Sequence, residues 1–157
     1  MPGHLPAGPR NAITDVPGVR VGHTTVNTVA HRTGVTVILP REDVYTPPLH
    51  RCRPCDQRLR QNSRLVQVQE LGQLESPIAL TNTLNVGLVY DALVQYTADA
   101  CAARGEKLRS FNPVVGECND STLSDITDRV IGRREVSTPS RPLPLTLSRA
   151  VWGPAPA

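Results

Sequence analysis

The feature that most constrains this chain is an apolar segment, a helical stripe and a second apolar segment in direct succession. SPIAL at Ser76 to Leu80 reads as a buried strand. Val86, Val89, Tyr90, Leu93, Tyr96 and Ala100 then recur at three- and four-residue spacing, which sets them along one face of an α-helix. Asn85 stands where an N-cap is needed, and Gly105 followed by Lys107 marks the end. Leu108 to Val115 reads as the returning strand. A helix with one apolar face between two strands must bury that face on a sheet, so the fold class is α/β in the mixed α+β sense.

Upstream, Gly18 to Thr24 alternates, with Val19, Val21 and His23 on one face, and GVTVIL at Gly34 to Leu39 is β-branched and apolar. Two strands joined by a polar turn fit this region. Residues 1–10 hold three prolines and two glycines without periodicity and are expected to be a flexible leader. A single domain is expected over 11–135, with a short helical start near Leu123 to Ile131. The Pro-rich, acid-free segment that follows, 136–157, is expected to be disordered.

From Glu42 to Leu71 neither a strand nor a helix period persists, and no glycine stands between Gly34 and Gly72. The charge of this stretch is unusual. Arg51, Arg53, Arg58, Arg60 and Arg64 against Asp56 give +4, so with a total of +3 the rest of the chain sums to −1. A near-neutral chain with one basic insert argues against a nucleic-acid partner, and no aromatic lies between Tyr45 and Tyr90 to stack a base. The four cysteines are irregularly placed, no secretory signal is visible, and no apolar run approaches the ~20 residues of a membrane helix. A cytoplasmic location with reduced thiols, and no membrane contact, is expected.

Several short constellations carry possible chemistry. TNTLNVG at Thr81 to Gly87, including Asn82, has the hydroxyls and amides that turn a strand into a helix N-terminus; such a turn either caps the helix or holds an anion or a carbonyl oxygen. GECND sets Glu117 and Asp120 in a loop at a strand end, where a carboxylate can anchor a cationic amine, act as a base or remain a solvated charge. His50, Cys52 and Cys55 form half of a zinc pattern whose other half is missing, so no metal is expected. His23, on the apolar side of its strand, is expected to be a hydrogen-bonded structural histidine. No nucleophile elbow, Walker loop or dinucleotide fingerprint is present, no cofactor is implied, and no residue qualifies as catalytic.

NAITDVPGVRVGHTT at Asn11 to Thr25, RTGVTVILPR at Arg32 to Arg41, ESPIALTNTLNVG at Glu75 to Gly87 and PVVGECND at Pro113 to Asp120 together resemble the self-processing L-aminopeptidase/D-esterase family of the DmpA type, which includes β-peptidyl aminopeptidases. The resemblance implies a partial αββα sandwich like that of N-terminal-nucleophile hydrolases. It also implies a precursor that cuts itself before a serine or threonine, the new N-terminal residue becoming the nucleophile. The portion present resembles the α-subunit.

Within it, the family's glutamate that binds the substrate's free amino group matches Glu117. Two positions later, where some members carry an active-site tyrosine, stands Asn119. The substrate-binding expectation is therefore Glu117, Asn119 and Asn82. The implied ligand is a peptide or amino-acid amide, and the implied partners are a complementary β-subunit-like chain and further copies in an oligomer. The likeness lapses at 45–70 and again after Val136, which predicts two compensating reading-frame shifts around Leu49 to Leu71, a third near Val136 with early termination, and a truncated, inactive α-subunit-like chain. The alternative is a non-catalytic module that contacts an anionic partner through Arg51 to Arg64.

Overall fold

The computed structural model of the chain describes residues 6–45, 49–50, 68 and 71–137. Strands β1 (Arg20–Asn27) and β2 (Arg32–Leu39) form the expected hairpin, antiparallel from Arg20↔Leu39 to Asn27↔Arg32. Two short strands, β3 (Leu49–His50) and β4 (Gln73–Leu74), pair with each other in a separate ribbon. Next come β5 (Ile78–Asn82), the helix α1 (Val86–Ala103) and β6 (Val114–Cys118). The main sheet has the order β1-β2-β5-β6, with β5 antiparallel to β2 and parallel to β6. A parallel pair needs a crossover, and α1 is that crossover.

One face of the sheet carries the core. Val35 and Val37 of β2, Ala79 of β5 and Val115 of β6 share a cluster with Val89, Ala92 and Leu93 of α1, and Val115 is 0% exposed. The stripe read from the sequence is thus the face that packs. Ile131 and Val136 close the cluster from the chain beyond β6, where a short helix α2 (Arg133–Ser137) lies against α1 and is tied to β1 by Thr24 Oγ1 donating to the Glu135 carbonyl at 3.0 Å. The opposite face holds Val21, His23, Thr36, Ile38, Ile78 and Leu80. Leu80 is exposed, at 38%, and the others are half-buried. Among the described residues the result is one α layer on one β layer.

Local physics accounts for the ends of the elements. The C-terminus of α1 is a Schellman closure: Glu106 N bonds the Cys101 carbonyl at 2.9 Å, Gly105 N bonds the Ala102 carbonyl at 3.0 Å, and Gly105 has φ +71°. At the other end the expected cap is displaced. Asn85 occupies the N-cap position but makes no side-chain cap bond. Instead Asn82 Oδ1 accepts from Asn85 N at 3.0 Å and closes a 3-10 turn, Thr83–Asn85, that leads into the helix.

The returning strand also starts later than Leu108, at Val114. Upstream donors that a strand would use in pairing go to side chains: Arg109 N donates to Tyr45 Oη at 3.2 Å and Asn112 N to Glu75 Oε1 at 3.0 Å. Pro113 then has no N–H to give. The helical start near Leu123 is a 3-10 turn, Ile126–Asp128, and order continues past 135, since Val136 is 4% exposed within the core. The segment 45–70, apart from Tyr45, the β3 backbone and Val68, and the residues after Ser137 lie outside the described part, as do the Arg51 to Arg64 cluster and Cys52 and Cys55.

Candidate functional site

Parallel pairing brings the C-terminal ends of β5 and β6 to one edge, Thr81 opposite Glu117 and Asn82 opposite Cys118. Each strand leaves this edge into a polar loop: Thr83–Asn85 ahead of α1, and Asn119–Asp120 after β6. The sequence therefore folds its amide- and carboxylate-rich segments onto neighbouring strand ends, where an α/β layer presents functional groups. Glu117 lies two residues beyond the fully buried Val115, on the helix-covered side of the sheet.

This edge concentrates unsatisfied polar atoms. Among the described residues, six buried side-chain N or O atoms have no hydrogen-bond partner, and five belong to this edge: Thr83 Oγ1, Asn85 Oδ1, Asn85 Nδ2, Glu117 Oε2 and Asp120 Oδ1. Asn85 is 0% exposed. Each such atom costs about 1–3 kcal/mol when left without a partner, so five together would cost roughly 5–15 kcal/mol, the size of a whole domain's stability. Buried polar atoms of this kind are ordinarily paired with water, a ligand or another segment.

The three residues expected to bind substrate lie along this edge and differ in their commitments. Glu117 is half-buried, with Oε2 free. Asn82 is 4% exposed and has both ends of its amide in use, accepting from Asn85 N and donating to Thr33 Oγ1 at 3.1 Å. Asn119 is exposed, and its Oδ1 accepts from Ser121 N at 2.9 Å. The sequence singles out Asp120 with Glu117, but takes Asn85 as a cap and Thr83 only as part of the TNTLNVG turn. The signal that could have found Asn85 is the pair of asparagines three apart, only one of which can cap the turn.

Below this edge the hairpin tip is clasped to the loop after β6. Arg32 N donates to Ser124 Oγ at 2.8 Å and Asp125 N to the Ala30 carbonyl at 3.0 Å. Arg129 Nε bonds the Leu84 carbonyl at 3.1 Å, joining the same loop to the turn that carries Asn85. Two hydrogen bonds from Thr127 to Asp125 Oδ1, from the hydroxyl at 2.6 Å and the backbone N–H at 3.2 Å, hold the Asp125 carboxyl below its usual pKa.

The clasp also aligns a hydroxyl, an imidazole and a carboxylate, with Thr28 Oγ1 3.2 Å from His31 Nδ1 and His31 Nε2 2.8 Å from Asp128 Oδ2. It is a turn closure: Thr28 Oγ1 already accepts from His31 N, and Thr28 N donates to the His31 carbonyl. His23 is hydrogen-bonded as expected, its Nδ1 2.8 Å from Thr36 Oγ1 across the hairpin. Among the described residues no group of three or more His, Cys, Asp or Glu is placed to hold a metal, and no helix is long and apolar enough to cross a membrane.

Comparison with known proteins gives the chain a family context. The model of peptidase family S58 matches residues 11–149. The β-peptidyl aminopeptidase BapA of Sphingosinicella xenopeptidilytica is 35% identical over 138 residues, 82% of this chain and 34% of that protein. Among solved structures, the PH0078 protein of Pyrococcus horikoshii OT3 superposes with a TM-score of 0.73 at 36% identity, covering 89% of this chain and 42% of that one. The L-aminopeptidase D-Ala-esterase/amidase of Ochrobactrum anthropi, described as a prototype for the serine aminopeptidases with a variant of the Ntn hydrolase fold, gives 0.69 at 27% identity, covering 89% and 42%. The chain spans about a third of the length of the curated relatives it matches. The one-sided α/β layer, its ordered sequence islands and these likenesses agree: the chain belongs to peptidase family S58.

Proposed function

We propose that this chain supplies the amine-recognition part of a serine-type aminopeptidase that releases N-terminal residues from peptides, amides or esters. The observation that carries this reading is Glu117 Oε2, a carboxylate oxygen buried at the β5/β6 edge without a partner. An aminopeptidase must recognise a cationic N-terminus, and a carboxylate in a confined polar site does so by a charge-assisted hydrogen bond. In this reading Asn82 holds the turn beside the site and Asn119 stands at its rim.

The chemical step needs an activated hydroxyl beside a base, aimed into the site. The one free hydroxyl described at the Glu117 edge, Thr83 Oγ1, has no hydrogen-bonded base, so the chain is proposed to be catalytically silent alone and to act with a complementary β-subunit-like segment in an oligomeric, cytoplasmic enzyme. Relatives named as β-peptidyl aminopeptidases, of which this chain spans a third, support the substrate class.

The test is incubation of the purified chain with amino-acid p-nitroanilides, with no p-nitroaniline release expected. Turnover that copurifies with this polypeptide and survives further fractionation would overturn the claim of silence, and the Thr28 hydroxyl beside His31 would be the first to substitute.

A further inference from the structure

The sequence and the family context bring Glu117 to the site; the structure brings Asn85 to it as well. Asn85 is 0% exposed, sits at the end of the turn fixed by Asn82, and has neither its amide oxygen nor its amide nitrogen paired. Its neighbours at this edge with free atoms are Thr83, Glu117 and Asp120, of which all three are only half-buried. All four residues belong to the strand-end edge where β5 and β6 run parallel, and Asn85 is the most deeply buried of them.

The free atoms define the occupant's chemistry. Glu117 Oε2, Asp120 Oδ1 and Asn85 Oδ1 only accept while the carboxyls are ionised, the Thr83 hydroxyl does either, and Asn85 Nδ2 only donates. Acceptors in excess suit a primary ammonium, which carries three N–H donors and no acceptor. The lone amide donor needs an acceptor held close to that ammonium.

We propose that Asn85 is a substrate-recognition residue: its Oδ1 shares the substrate's ammonium with Glu117 and Asp120, and its Nδ2 donates to the neighbouring carbonyl. The site would thus take an ammonium with a carbonyl a bond or two away, as in an amino-acid amide, and select it over a simple amine. This rests on the amine-recognition reading of Glu117 and adds a second determinant to it. The selection follows from the cost of burying a donor unpaired, since a site built to hydrogen-bond a group rejects the analogue that lacks it.

The experiment is a titration of the full chain, followed by NMR, with L-alanine amide and with isopropylamine, which has a similar shape but no carbonyl. Wild type is expected to prefer the amide about tenfold or more. Asn85→Leu should erase the preference while keeping or raising the thermal midpoint, because an apolar side chain of similar size removes two unpaired atoms. Asn85→Asp keeps an acceptor but loses the donor, and should hold the ammonium without the preference. Glu117→Gln should weaken both probes.

If wild type shows no preference, the free atoms of Asn85 serve ordered water only and the proposal fails. If a folded Asn85→Leu or Asn85→Asp retains the preference, the proposal fails and the Glu117 reading stands. If neither probe binds, or Glu117→Gln leaves both unaffected, both readings fall together.

Discussion

Asn82 is the residue on which a structural role and a ligand-binding role can be separated most cleanly. In the structure its Oδ1 caps the Thr83–Asn85 turn and its Nδ2 ties β5 to Thr33 of β2, with 4% of the residue exposed. Asn82→Ala removes a cap worth about 1 kcal/mol and a buried hydrogen bond worth about 1 kcal/mol, and leaves a small void, so the loss should be about 2–3 kcal/mol. With a urea m-value on the order of 1.5 kcal/mol per molar, the unfolding midpoint falls by roughly 1.3–2 M. Asn82→Asp keeps the acceptor for Asn85 N and gives up the donor to Thr33, and should lose about half as much. Urea titrations followed by circular dichroism measure both, and L-alanine amide binding is measured alongside. The reasoning is refuted if Asn82→Ala stays within about 0.5 kcal/mol of wild type, the range of an uninvolved surface site; weakened amide binding in that case would make Asn82 a direct ligand contact.

Two further outcomes follow from the geometry. A Cβ at Gly34 would lie 2.5 Å from the Thr24 carbonyl oxygen across the hairpin, so Gly34→Ala should force the strands apart and cost about 1–3 kcal/mol in urea unfolding; a neutral effect would mean that the β1–β2 spacing is wrong. The depressed pKa of Asp125 contributes stability that is present above the ordinary carboxylate value and lost as pH falls through the lower folded value. Asp125→Asn, which can keep the Thr127 contacts without the charge, should therefore flatten the acid limb of the midpoint-versus-pH curve, and an unchanged limb would count against this linkage.

The parts legible in the sequence were those fixed by local chemistry. The stripe through Val89 and Leu93 and the stop at Gly105 depend on periods and backbone freedom that a few residues determine, and both are seen in the structure. Strand extent was less legible, because Leu108 to Asn112 has the look of a strand while Tyr45 and Glu75, far away in sequence, accept hydrogen bonds from its backbone. The cap was missed for a related reason. Asn82 and Asn85 are chemically equal, and only the bond from Asn85 N to Asn82 Oδ1 assigns their roles. Glu117 was singled out as the amine binder through resemblance alone, whereas the gathering of free atoms at its strand edge depends on the parallel register of β5 and β6, which no local pattern encodes.

The sheet's middle pairing has a consequence for how freely this sequence can change. β2 ends at Leu39, and its antiparallel partner β5 begins at Ile78. Closing a flexible loop costs entropy that grows only with the logarithm of its length, and each doubling adds roughly 0.6 kcal/mol. The Thr36↔Leu80 to Ile38↔Ile78 register is set by the strands themselves rather than by what joins them. The length of sequence between Leu39 and Ile78 can therefore change without moving that register, whereas the short hairpin turn, with its clasp to the loop after β6, has no such latitude.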